Sequence, residues 1–159
     1  MWSELKDRLK GEVVVLGVGN RMRGDDAAGS VLAERLGRRV AVPVIDGGET
    51  PEECTGKLKA AQPDTVLVLD AVDFGAEAGA CALIRAEGLG RATGVSTHSP
   101  PLSILAKYLH AETGADFVFL GIQPRNRGVG GSLSEQVSRT LAVAEEALVD
   151  ILGAQRKMD

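Results

Sequence analysis

The chain has 159 residues, 44% of them hydrophobic and 25% charged, a composition that suits a single globular α/β domain over 1–159 with one sizeable core. A net charge of −4 and five aromatic residues, Trp2, Phe74, Tyr108, Phe117 and Phe119, argue against a basic phosphate-binding stripe or a base-stacking platform. No apolar run approaches the roughly 20 residues needed to cross a bilayer, and the opening MWSELKDRLKGE is charged where a signal peptide would be apolar. The expectation is a cytoplasmic monomer with neither nucleic acid nor membrane as partner.

In chain order, residues 2–10 carry apolar residues at helical spacing and read as a short leading helix or a loosely docked arm. Residues 12–18, with the run VVVLGV, read as a strand buried on both faces. After the loop GNRMRGDD, residues 27–38 place Ala28, Val31, Leu32 and Leu36 on one helical face. A second strand follows at 41–46, where Pro43 predicts an edge position. Thr50 as cap and Pro51 at the first helical position predict a helix over 51–61.

TVLVL at 65–69 reads as a third buried strand. About ten residues then separate it from ACALIR at 80–85, too few for a helical crossover, so this segment reads as an antiparallel edge strand. Ser99-Pro100 repeats the cap-then-proline signal and opens a helix to about Glu112, with Leu102, Leu105, Ala106 and Leu109 inward. DFVFLG at 116–121 is the last strand, and Ser132 with Glu135 has capping-box spacing before a helix to about Leu152. The alternation predicts a three-layer sandwich with a mostly parallel, twisted sheet of about five strands. The Gly/Arg-rich segment 123–131 reads as a mobile, exposed loop unless a partner orders it. Cys54 and Cys81 lack a CxxC pairing and read as free thiols.

Three residues stand just beyond apolar strands: Asp26, Asp70 and His98. Loops at the carboxyl ends of parallel strands gather into one crevice, so two carboxylates and an imidazole there suit a metal ion. Each also has an ordinary explanation. Asp25 and Asp26 suit helix capping, but one acid suffices for that and the second points to another task. Asp70 suits a strand end bonded to local amides, with Asp73 either sharing the site or supporting it. His98 suits a plain loop, yet it precedes a cap in a segment stiffened by Pro100 and Pro101, whereas His110 lies mid-helix and reads as surface.

Two alternatives are weaker. Gly17 and Gly19 begin a dinucleotide fingerprint whose third glycine would fall at Met22, and Asp25 and Asp26 would repel a pyrophosphate. Ser96 or Ser99 with His98 and Asp70 would make a hydrolytic triad only in a geometry that adjacent loop residues rarely reach, and no GxSxG elbow is present. A set of two aspartates and one histidine leaves coordination positions open, so its own affinity for Ni²⁺ or Zn²⁺ is weak. It can activate water or dock onto a metal that a substrate already carries.

The chain resembles the nickel–iron hydrogenase maturation proteases over nearly its whole length. The resemblance rests on GVGNRMRGDDAAG at 17–29, IDGGETPE at 45–52, VLDAVDFG at 68–75, STHSPPLS at 96–103 and FLGIQP at 119–124, in that order. It implies an endopeptidase that removes a C-terminal extension from the hydrogenase large-subunit precursor once nickel is inserted. It implies metal ligands at Asp26, Asp70 and His98, with the same residues catalytic. It also implies nickel supplied by the substrate, zinc or cadmium being substitutes in vitro. Gly47, Gly48 and loop 125–131 have a positional case for shaping the precursor cleft, and the N-terminal helix has no counterpart in the family pattern. Competing classes are a non-catalytic nickel-binding maturation factor and a dinucleotide-binding module.

Overall fold

A computed structural model describes residues 1–85, the backbone of 96–97, and residues 102–155. In chain order the elements are α1 (Trp2–Arg8), β1 (Val13–Gly17), a 3₁₀ turn (Gly24–Ala27), α2 (Ala28–Gly37), β2 (Val44–Asp46), a second 3₁₀ turn (Pro51–Cys54) and α3 (Thr55–Ala60). β3 (Thr65–Asp73), β4 (Cys81–Ile84), β5 (Ser96–Thr97), α4 (Leu102–Thr113), β6 (Asp116–Ile122) and α5 (Glu135–Leu152) complete them.

The main sheet runs β2-β1-β3-β6-β4, with β5 added alongside the end of β3. β2, β1, β3 and β6 are parallel, and β4 pairs antiparallel with β6, as its short connection requires. β2 lies at the edge, as Pro43 foretold: the proline has no amide to give, but its carbonyl accepts from Val15 N at 3.0 Å. The alternating side chains of β1 and β3 divide two cores. Val13, Val15, Leu67 and Leu69 meet α2 and α5 on one face, while Val14, Leu16, Val66 and Val68 meet α3 and α4 on the other. Among the described residues no helix is long and apolar enough to cross a membrane.

Trp2–Arg8 form the leading helix and not the loose arm: Leu5 is fully buried, with Trp2 and Leu9 packed around the same core. Other expectations need correction. β3 does not stop at Leu69. Its ladder continues through Asp70↔Gly121 and Ala71↔Ile122 with β6, then Val72↔Thr97 and Asp73↔Ser96 with β5, so Asp70 is a strand residue. Thr50 does not cap a helix through its side chain; its hydroxyl pairs with Glu53 at 3.2 Å, and the chain makes a 3₁₀ turn before α3. The cap of α5 is Ser134, whose hydroxyl accepts from Val137 N, and not Ser132.

The contact that fixes the site is the seat of α2. Gly29, in its first turn, lies so close to the end of β1 and the middle of β3 that a Cβ there would stand 2.3 Å from the Val18 carbonyl oxygen and 2.1 Å from that of Leu69. Both obstacles are backbone, so neither can move aside without disturbing the ladder. In an exposed helix, glycine to alanine stabilises by up to about 1 kcal/mol. Gly56 in α3, with open space around it, should behave that way. Gly29→Ala should do the reverse and cost about 3 kcal/mol through overpacking. Urea unfolding of both variants measures the two signs, and a stabilising Gly29→Ala would refute this packing.

Candidate functional site

The sheet has its topological switch between β1 and β3: the chain leaves β1 toward β2 on one side and continues from β3 toward β4 and β6 on the other. At the carboxyl ends of these strands the backbone is sewn together. Val18 N donates to Leu69 O at 2.9 Å, Gly47 N to Gly17 O at 2.7 Å, and Gly19 N to Gly48 O at 2.9 Å.

Asp26 stands in the 3₁₀ turn above this seam. Its backbone oxygen accepts from Asn20 N at 3.1 Å and lies where a Cβ on Gly19 would come within 2.2 Å, so only glycine fits there. Gly29, three residues on, sits against the Leu69 carbonyl, which places Asp26 on a segment touching the strand just before Asp70. Both side chains are buried, Asp26 completely and Asp70 all but 2%. Asp70 shares the strand face of Val68 and Val72, which is the α4 side of the sheet. β5 ends at Thr97, paired with Val72; His98 itself lies outside the described residues, as do Ser99, Pro100 and Pro101. Among the described residues no three His, Cys, Asp or Glu side chains gather as a metal set.

The two neighbouring acids have separate tasks, and the cap position of α2 falls on Ala27 and not on either of them. Asp25 fastens the loop after β6. Its carboxylate accepts from Ser134 N at 2.7 Å, Arg125 N at 2.8 Å and Asn126 N at 3.1 Å, while its own amide donates to Asn126 O at 2.7 Å. Burial alone would raise its pKa, but the three amides prevail and hold it below the ordinary carboxylate value. The loop expected to await a partner is therefore tied down by the chain itself. Asp26 instead faces two guanidinium groups, with Arg23 Nε 3.7 Å from one carboxylate oxygen and Arg127 Nε 3.9 Å from the other.

Asp73 supports the architecture. Gln123 Nε2 donates to its carboxylate at 3.1 Å and Gly75 N does the same at 3.1 Å, and these bonds lower its pKa. The Gln123 side-chain Oε1 accepts from Phe74 N and Ala76 N, so one buried side-chain amide holds the whole turn after β3. Gln123 was missed at the sequence level, although its place just past the end of β6 obeys the rule that singled out Asp26 and His98. His110 is exposed, with Nδ1 2.8 Å from Ala115 O, and both cysteines are free.

Beside the seam, a groove of about 430 Å³ opens along the end of β2, lined by Asp46, Gly47, Gly48, Glu49, Glu53 and Lys57 among others. Asn20 Nδ2 donates to Glu49 at 2.6 Å and joins the groove to the β1 loop. A pyrophosphate is poorly served at this end of the sheet. The turn leading into α2 buries two carboxylates, and Met22, in the third-glycine position, is 70% exposed.

Two buried carboxylates at a switch point are hard oxygen donors suited to a divalent ion or to the handling of a proton. Comparison with known proteins places the chain in a family. The family model described as hydrogenase maturation protease matches residues 28–151, a span that includes Asp70 and His98 and begins two residues after Asp26. The hydrogenase 3 maturation protease of Escherichia coli K12 is 38% identical over 116 residues, covering 70% of this chain and 72% of the relative. The crystal structure of a [NiFe] hydrogenase maturation protease from Thermococcus kodakarensis KOD1 superposes with a TM-score of 0.85 at 39% identity, over 94% of this chain and 98% of that one. The solution structure of an endopeptidase from Escherichia coli gives 0.76 at 30% identity, over 86% and 88%. With this extent of matching in both sequence and fold, the chain belongs to the hydrogenase maturation protease family.

Proposed function

We propose that the protein is an endopeptidase that removes the C-terminal extension of a nickel–iron hydrogenase large-subunit precursor after nickel insertion, recognising the nickel that the precursor carries. The observation that carries this reading is the convergence on Asp70. The turn bearing Asp26 leads into a helix seated on the Leu69 carbonyl, and the strand ending at Thr97 pairs with Val72 on the other side of Asp70. Asp26, Asp70 and His98 are the residues that would meet the ion, which enters with the substrate. Its charge would polarise a neighbouring carbonyl, and a buried carboxylate nearby would take a proton from the attacking water. A donor set of two carboxylates and one imidazole leaves positions for the precursor's own ligands, which fits inspection of a client better than permanent metal storage.

The sequences between the strand ends would bind the segment to be cut. The groove along Asp46, Gly47 and Gly48 adjoins the β1 loop and has room for an extended stretch of peptide. A non-catalytic nickel-binding factor would use the same ligands and leave its client whole, so cleavage itself is the discriminating measurement.

Incubation with nickel-loaded and nickel-free precursor, read by mass spectrometry, should show loss of the C-terminal segment from the loaded form alone. No cleavage of either form would remove the protease reading, and equal cleavage of both would remove nickel as the signal. Asp26→Asn, Asp70→Asn and His98→Ala should each lower processing by at least about 100-fold in folded protein. Wild-type activity in any one excludes that residue. Asp25→Ala should act differently, costing about 3 kcal/mol of stability because three backbone amides lose a charged acceptor. Thermal or urea unfolding would expose the error if that variant proved as stable as the parent.

A further inference from the structure

Asp26 is fully buried, yet each oxygen of its carboxylate faces an arginine. Arg23 comes from the same turn and stands 3.7 Å away through Nε; Arg127 comes from the loop after β6 and stands 3.9 Å away through Nε. The two are joined, because Arg23 Nε donates to the Arg127 backbone oxygen at 3.3 Å. At these separations the arginines act on Asp26 by charge more than by directed hydrogen bonds. Their side chains are 42% and 34% exposed, so both can swing into water without unpacking the core.

We propose that Arg23 and Arg127 are positioning residues that stand in for a cation at Asp26, depressing its affinity for free divalent metal and reserving it for an ion delivered by a protein substrate. The proposal rests on the reading of Asp26 as a metal-facing residue. A buried carboxylate needs a counter-charge. Here the fold supplies one that is partly exposed and movable. An incoming divalent ion must repel or displace two positive groups before it reaches the carboxylate. A free ion has only its own coordination energy with which to do so. An ion held in a precursor brings the contacts of the whole protein as well, and a differential of that kind separates the two ligands. Arg127 also bears electrostatically on Asp73, so its charge acts on both sides of the β3 end.

A purely structural role predicts weaker metal binding, or unfolding, when the arginines are removed. The counter-charge role predicts a gain. The test is calorimetric titration with Ni²⁺ alone on the wild type, on the Arg23→Gln/Arg127→Gln pair and on the Arg23→Lys/Arg127→Lys pair, each checked by circular dichroism. The glutamine pair should bind Ni²⁺ at least about tenfold more tightly than wild type, while the lysine pair, which keeps the charge, should stay within about threefold of it. Adding Asp26→Asn to the glutamine pair should abolish the gain. Should the glutamine pair fail to fold, single Arg127→Gln is judged by the same criteria. Unchanged or weaker Ni²⁺ binding in folded glutamine variants overturns the proposal, as does a gain that survives Asp26→Asn. Failure of the protease reading shows separately, as wild-type protein that leaves nickel-loaded precursor uncut.

Discussion

The seat of α2 on the end of β1 and on β3 at Leu69 is the contact on which the rest depends. Gly29 allows the helix to rest directly on the Val18 and Leu69 carbonyls, and Gly19 allows the preceding turn to fold back over the strand end. Glycine inside a helix costs about 1 kcal/mol relative to alanine. Here the close approach offsets that cost and fixes the height of Asp26 above the sheet. A larger side chain at either position would lift the turn and carry the carboxylate away from the level of Asp70. The position of the site is thus a packing property before it is a chemical one.

The same turn explains how two adjacent acids serve different ends. A 3₁₀ turn has three residues per revolution, so consecutive side chains diverge by about 120°. Asp25 points to the loop after β6 and is surrounded by backbone amides, which keep it ionised although buried. Asp26 points to Arg23 and Arg127. The sequence indicates that one of the pair has a task other than capping, and the backbone geometry shows which partners each acid meets.

The fold was largely legible because its strands and helices are local patterns. The apolar runs, Pro43 at the edge, the short antiparallel link into β4 and the inward face of α4 all follow from neighbours in sequence. What escaped depends on distant partners. TVLVL ends where hydrophobicity ends, but the ladder of β3 runs on through Asp70 and Asp73 because β6 and β5 supply partners from elsewhere in the chain. Ser134 rather than Ser132 caps α5 because its amide is held by Asp25, 109 residues earlier. The segment QPRNRGVGG has the composition of a mobile loop, and nothing within it reveals an anchor 100 residues upstream. The strand-end rule singled out Asp26, which is fully buried beside Arg23 and Arg127, and the run TVLVL pointed to Asp70, which is buried within β3 and not beyond its end. Gln123 was overlooked because an amide carries no charge or metal affinity to draw attention, and its function is visible only in the bonds it makes.

These long-range ties also connect Asp25 to Asp26. The amides of Arg125 and Asn126 are bound by Asp25, and Arg127 is the next residue along the chain. The anchor therefore fixes where the Arg127 guanidinium can reach, and that guanidinium stands against Asp26. Gly130 N, bonded to Met22 O at 2.9 Å, closes the far end of the loop onto the segment that carries Arg23. Two loops from opposite ends of the chain are thus held as one rim around a buried carboxylate. A change at Asp25 would loosen that rim and alter the charge felt at Asp26 without touching it. In this arrangement the stability of the loop and the electrostatics of the site are consequences of the same three backbone bonds.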